Sequence, residues 1–364
     1  MSKAAELAAL IGSQTALSNR NMVINGAMTI WQRGTSAITV SGDDDFTCDR
    51  FKGWANGGGT FTVEQSTDVP SNEFEFSAKL TNTAVDSSVA AGDDYRWATD
   101  IEGYNVSPLA YGSSDAKTAT LSFWVKSSLT GTYCGAFYST TASRHYIYEY
   151  TISSANTWEK KTITVEGDTT GSWNRTNGNG LRIYWGFGSG SDVQGTADAW
   201  AAGEKWETTN QAAWIGSASA TFFITGVQLE VGEQATFFEH ENFSSTLRKC
   251  QRYFCKSYNY DIAPGASGSV NNLKGAASFS GGTSTANRPF WSAGQYPVTM
   301  RSEPTIVLYH YDGTSGKITG GSFASYDGSA VNIGDRGFNA HPTGNVSNSD
   351  DEDHYLIFTA SAEL

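Results

Sequence analysis

Residues 120–128 read TLSFWVKSS, and the alternation in this stretch decides the fold class. On a strand, Leu121, Phe123 and Val125 project to one face and Ser122, Trp124 and Lys126 to the other. A period of two over this length denotes a strand with one face on a core and the other wet or covered. Runs of the same kind are expected at 61–65, 119–127, 146–152, 159–166, 181–187 and 220–230, separated by Gly, Ser, Thr, Asn and Asp. Short strands punctuated in this way predict an all-β sandwich.

The chain has 364 residues with 39 Gly, 11 Trp, 17 Tyr and 19 Phe. That length accommodates one large β unit and a smaller partner. Near the start, Ala4 to Ile11 favours a short helix with Leu7, Leu10 and Ile11 on one face. So short a helix is not stable alone in water, so that face is expected to anchor to an assembly or to trimerise. A second helical spacing runs through SSTLRKCQRYFCKSY at 244–258 and reads as a connector. Beyond it, strands are expected at 276–279, 296–300, 305–311, 330–333 and 354–360. The organisation expected is therefore an N-terminal helix over 1–21, a jelly-roll over 22–243, a helical connector over 244–260 and a smaller C-terminal β-domain over 261–364.

A net charge of −13 excludes nucleic acid as a natural partner, because the protein's own field opposes a phosphate backbone. No stretch reaches the apolar length of a membrane span, so no membrane insertion is expected. Cys48, Cys134, Cys250 and Cys255 are too few and too irregular for a disulfide framework and are expected as free thiols. No nucleophile elbow, phosphate-cradling loop or zinc-spaced cluster occurs, so no catalytic residue is assigned and the chain is expected not to be an enzyme. The triplet Glu239, His240, Glu241 reads as a solvated strand end, since consecutive strand residues alternate faces.

Aromatic side chains carry the functional expectation. Tyr95, Trp97, Trp173, Tyr184, Trp185, Trp200, Trp206 and Trp214 stand outside a simple core pattern. Sugar rings pack apolar C–H faces on aromatic planes while polar side chains bond their hydroxyls. The segment SWNRTNGNGLRIYW, 172–185, offers both kinds, so Trp173, Asn174, Arg182, Tyr184, Trp185, Trp97 and Tyr95 are the expected carbohydrate-binding residues. The alternative for any one of them is a place in the core.

The blocks NRNMVINGAMTIWQRGTS at 19–36, TCDRF at 47–51, TLSFWVKSS, GVQLEVGEQATFFEHENF at 226–243 and LRKCQRYF at 247–254 together resemble phage virion proteins of the tail-fibre or receptor-binding kind. The first and fourth blocks are also similar to the first and last strands of carbohydrate-binding jelly-rolls. YPVTMRSEPTIVLYHYDG at 296–313 and YLIFTASAEL at 355–364 extend the resemblance. It implies pairing of a strand near 28–32 with one near 224–231, a turn at Asn25 and Gly26, Trp31 and Phe51 in the core, and an ionic contact of Arg33 with Asp49 or Arg50. It further implies a homotrimer in a virion assembled in the host cytoplasm, joined to other virion proteins through its N-terminus and attached to host surface glycan. No cofactor is expected beyond a structural calcium ion, for which Glu230 is the candidate ligand. A capsid decoration or head fibre and a glycan depolymerase are the rival readings.

Overall fold

A computed structural model describes residues 19–266, 277–280, 292–320, 323–343 and 353–364. The expected helix with Leu7, Leu10 and Ile11 lies outside the described residues. The chain divides into two compact units, one holding Ser36–Asn242 and the segment up to Thr29, the other holding Ile30–Thr35 and Phe243–Glu363.

The first unit is a jelly-roll sandwich of two antiparallel sheets. One sheet contains β1 (Ile38–Val40), β4 (Thr60–Ser66), β5 (Ser77–Ala84), β7 (Ala119–Ser127), β10 (Glu159–Val165) and β13 (Thr221–Val231), in the order β1-β4-β5-β13-β7-β10. The other contains β2 (Asp45–Phe46), β3 (Phe51–Asn56), β6 (Asp94–Glu102), β8 (Gly131–Ser139), β9 (Arg144–Ile152), β11 (Asn179–Gly186) and β12 (Trp200–Ala202), in the order β12-β9-β8-β11-β6-β3-β2.

The stretch that decided the fold class is β7, and its faces are as read. Leu121, Phe123 and Val125 have no exposed surface and enter the core. On the outer face Lys126 pairs with Asp68 and lies 4.2 Å from the centre of the Phe223 ring, so that face is covered. Between the sheets, Phe51 stacks on Trp97 at 4.5 Å, and Trp185 lies 5.8 Å from both Trp97 and Phe123. Aromatic rings thus fill the interval between two sheets that pack about 10 Å apart.

Several local features differ from the sequence reading. Residues 28–32 form no strand and follow a turn at 24–27; Asn25 and Met28 have φ of 63° and 55°. Asn25 holds this reversal, its Nδ2 donating to the Asp49 carbonyl at 3.0 Å and its Oδ1 accepting the Thr29 amide at 3.0 Å. The chain beside β13 is instead the preceding segment, through Met22 N to Leu229 O and Val227 N to Gly26 O, both at 2.9 Å. There β13 bulges between Thr225 and Gln228, and Gly226 takes φ +63° where an added Cβ would meet Phe74 and Trp124.

In the second unit, Ile30–Thr35 packs with residues far along the chain. Gln32 Nε2 donates to the Phe254 carbonyl at 2.8 Å, and Arg33 stacks 3.7 Å over the Phe254 ring while pairing with Glu363 at 3.1 Å. In the first unit, the Arg50 guanidinium donates to the Asp100 carbonyl at 2.7 Å. The helix Phe243–Gln251 ends before the expected limit and passes into β14 (Phe254–Lys256). The remaining strands are β15 (Ala277–Ser280), β16 (Ser292–Gln295), β17 (Thr305–Tyr309), β18 (Lys317–Thr319), β19 (Ser325–Val331), β20 (Gly337–Pro342) and β21 (Asp353–Ser361), several of them gathered on β21. Residues 296–300 are not a strand; Tyr296 and Met300 pack into this unit's core with Cys255, Leu308, Phe338 and Phe358. Cys48, Cys134, Cys250 and Cys255 are free and buried, as expected, and no helix among the described residues is long and apolar enough to cross a membrane.

Replacing Phe123 by Ala removes a ring packed on every side and is expected to cost about 3–5 kcal/mol. Trp124→Ala, one position along on the half-buried face, is expected to cost less. Urea unfolding followed by circular dichroism checks the order; equal midpoint shifts would refute the face assignment.

Candidate functional site

The register of the seven-stranded sheet places its outward side chains in rows. Trp54, Arg96 and Gly186 form one row, Lys52, Ala98, Tyr184, Ala136 and Ile147 the next, and Asp100, Arg182, Tyr138 and His145 a third. Trp54, Ala98, Ala136, Tyr138, Ile147 and Tyr184 form an apolar patch capped by Trp206, with Val193 and Ala197 packed against it. The segment carrying Trp206 approaches closely because Gly186 has no side chain: an added Cβ would lie 2.4 Å from Glu207 Oε1.

Charged groups on this face are paired and mostly buried. Asp100 accepts from Arg182 Nη2 at 3.0 Å and faces Lys52 Nζ at 3.0 Å. Burial works against its charge, yet the two cations hold its carboxyl below the usual carboxylate range. Arg96 pairs with Asp94 at 3.1 Å and with Glu204 at 3.0 Å, its guanidinium 4.6 Å from the Trp54 and Tyr184 rings and 3.9 Å from Trp206. Glu204 also accepts the Tyr184 hydroxyl at 2.6 Å. Burial pushes the Asp94 carboxyl up to about 6.

A second group of rings sits at the edge of the sandwich. On β12, Trp200 lies opposite Tyr146 of β9, which sets their rings 5.5 Å apart. Behind Trp200 stand Trp173 at 5.4 Å and Tyr111 at 5.6 Å, themselves 4.9 Å apart and edge-on. The inner pair is buried, whereas Trp200 and Tyr146 are half-buried. Trp200 Nε1 donates to the Glu166 carbonyl at 2.8 Å and Trp173 Nε1 to the Thr170 carbonyl at 3.0 Å, so both indoles are fixed in orientation. Polar groups surround them: Arg144 paired with Asp168, half-buried Asn174, and exposed Arg175 donating to the Tyr111 carbonyl at 2.9 Å.

A cleft of about 380 Å³ opens among Asp86, Ser189, Gln194, Glu207, Thr208 and Gln211. Its carboxylates are committed to the protein. Asp86 accepts the Tyr95 hydroxyl at 2.7 Å and the Ser88 amide at 2.9 Å; Glu207 accepts the amides of Gly188 and Ser189 at 3.0 and 2.8 Å. Glu207 is wholly buried, and burial pushes its carboxyl up to about 7.

The structure separates the expected carbohydrate-binding residues. Tyr95, Trp97 and Trp185 have no exposed surface and point between the sheets, and Tyr184, on the outer face, is equally covered. A ring with no exposed surface cannot stack on a sugar, so Tyr95, Trp97 and Trp185 are packing residues, and Tyr184 offers no ring face, only a hydroxyl turned to Glu204. Arg182 is committed to Asp100, and only Trp173 and Asn174 fall beside half-exposed rings. Glu230 is buried and its oxygens accept from Gln228 Nε2, the Thr236 amide and the Thr236 hydroxyl at 2.8–3.0 Å. Among the described residues no group of three or more His, Cys, Asp or Glu side chains is placed to hold a metal ion. Nor is Glu239 a merely solvated strand end: it accepts the amides of Asn19, Arg20 and Asn21 at 2.6, 2.7 and 2.9 Å.

No family model and no curated protein matches the sequence. Among solved structures, the chain is similar to the enzymatically active domain of bacteriophage CBA120 tailspike protein 4, at 14% identity over 58% of this chain and 22% of that one, with a TM-score of 0.30. It is also similar to a family 11 carbohydrate-binding module from Clostridium thermocellum in complex with a β-1,3-1,4-mixed-linked tetrasaccharide, at 11% identity over 55% of this chain and all of the module, TM-score 0.30. A further similarity is to a putative sugar-binding protein from Bacteroides thetaiotaomicron, at 13% identity over 58% of this chain and all of that one, TM-score 0.32.

Asp94 and Glu207 hold their protons more tightly folded than unfolded, so the stability they supply in acid is lost as pH rises through about 6 and about 7, respectively. Asp100 has the opposite sign, its contribution being lost only in stronger acid, and buried His145, whose affinity for a proton burial lowers, also favours the folded state as pH rises. The expected signature therefore lies in the variant: Glu207→Gln should lose less stability than the parent chain between pH 5.5 and pH 8. Urea midpoints at the two pH values check this, and identical losses would refute it.

Proposed function

We propose that the chain is a non-catalytic carbohydrate-binding protein, a fibre or spike subunit of a phage particle that attaches to glycan on the host surface. The observation that carries the binding reading is the edge cluster: half-exposed Trp200 and Tyr146, backed by Trp173 and Tyr111 and flanked by Asn174, Arg144 and Arg175. Rings held at fixed angles by indole hydrogen bonds offer apolar planes to the C–H faces of a pyranose, while adjacent amide and guanidinium groups suit its hydroxyls. Buried partners behind them keep the platform from collapsing when the outer rings are wet.

The phage assignment is supported by the sequence resemblance at 19–36, 47–51, 226–243 and 247–254. In a homotrimeric fibre joined to other virion proteins, sites of this size act through avidity, since linked copies raise the effective concentration of the next contact. A structural calcium ion remains part of this proposal through the same resemblance.

Trp200→Ala and Tyr146→Ala are each expected to weaken glycan binding on the order of tenfold, the loss of one stacking plane. Trp124→Ala, on the other sheet, is expected to leave it unchanged. An array of host-surface glycans probed with the purified chain and these variants is the measurement. Binding that survives both edge substitutions would sink the site, absence of any glycan binding would favour a capsid-decoration role, and release of new reducing ends from bound polysaccharide would replace the non-catalytic reading with a depolymerase.

A further inference from the structure

The Arg96 cluster shares no residue with the edge platform, and its occupant is unlike the groups that receive it. Glu204 lies on an exposed segment just after Gly203, its side chain 38% exposed, while the Arg96 side chain is 9% exposed and Tyr184 is not exposed at all. Arg96 Nη1 at 3.0 Å and the Tyr184 hydroxyl at 2.6 Å donate to one oxygen of its carboxylate. Trp54, Tyr184 and Trp206 wall the guanidinium. A preformed set of donors between aromatic walls is thus filled by a single surface side chain.

We propose that Glu204 stands in for the carboxylate of an acidic sugar, and that this outer face binds a uronic-acid type of glycan when the Glu204 side chain turns into solvent. The exchange swaps one carboxylate for another, so the charge balance around Arg96 is unchanged. A neutral sugar would leave Arg96 with Asp94 as its one anion and Nη1 without the charged acceptor it now has, which disfavours it. Rotation is local: the Glu204 side chain is already partly in solvent, so its carboxylate leaves Arg96 by turning about its own side-chain bonds. The His145 ring nitrogen lies 3.0 Å from the Gly203 carbonyl, so the backbone has a fixed point while the side chain moves. The carboxylate of an acidic peptide would satisfy Arg96 equally, but the Trp54 and Trp206 walls and the Tyr184 hydroxyl suit a pyranose better than an extended chain. With a net charge of −13, long-range steering of an anion is absent and selectivity rests on these short contacts.

Calorimetric titration of the full chain with trigalacturonate, its methyl ester and a glutamate-rich peptide tests this. Trigalacturonate should bind more tightly than its ester, and Glu204→Ala should tighten it about tenfold if the internal carboxylate fills the site nine-tenths of the time. Glu204→Gln, which keeps a hydrogen-bond acceptor, should fall between. Trp124→Ala, on the other sheet, should leave uronate affinity unchanged. Equal affinity for acid and ester, no gain in either Glu204 variant, or preference for the peptide would each overturn the proposal.

Discussion

The aromatic stack between the sheets constrains everything outside it. Phe51 lies on Trp97 at 4.5 Å with only 16° between the planes, and Trp185 fills the angle between Trp97 and Phe123. Rings of this size leave no freedom of register, because shifting a strand by one residue exchanges its two faces. With Tyr95, Trp97 and Ile101 of β6 turned inward, Asp94, Arg96, Ala98 and Asp100 must turn outward. The charged face is therefore a consequence of the core.

Outward charges on a central strand create a second requirement. They stand far from the sheet edge and are screened from water by their neighbours, so each must find a partner or bear a desolvation cost of several kcal/mol. Lys52 and Arg182, from the strands on either side, flank Asp100. Arg96 has Asp94 on its own strand and takes its second anion from Glu204 on the covering segment. That segment reaches the sheet because Gly186 admits Glu207, whose carboxylate in turn orders the amides of Gly188 and Ser189. Satisfying the charges and covering the apolar patch are thus accomplished by the same run of residues.

The fold was legible wherever one face of a strand is apolar and the other polar. β7 and β10 were readable to within a residue for this reason. β6 was not: every residue of DYRWATDIE is buried, and its polar half reads as a loop until Lys52, Arg182 and Glu204 are brought beside it from other strands. The same blindness affected the site. Tyr95, Trp97, Tyr184 and Trp185 looked available because they adjoin Asp, Arg and Gly, yet those polar neighbours occupy the alternate face and say nothing about ring exposure. Trp200 and Tyr146 were distinguished by a cross-strand register that sequence does not reveal, although a Trp within the Ala- and Asp-rich run ADAW, where little else could bury it, is a usable signal. Glu239 was misread for the opposite reason, its three amide donors coming from some two hundred residues away.

The two carboxylates that flank this face from different directions are not equivalent. Asp100 is nearly inaccessible and answers two cations, so removing it would strand Lys52 and Arg182 together in a place water cannot reach. Glu204 is partly in water, and the cation it serves retains Asp94 on its own strand. Water already bears part of the cost of separating Glu204 from Arg96, whereas no solvent shares that cost at Asp100. An exchangeable contact therefore belongs at Glu204, on the covering segment, and a permanent one at Asp100, where the central strands hold both partners.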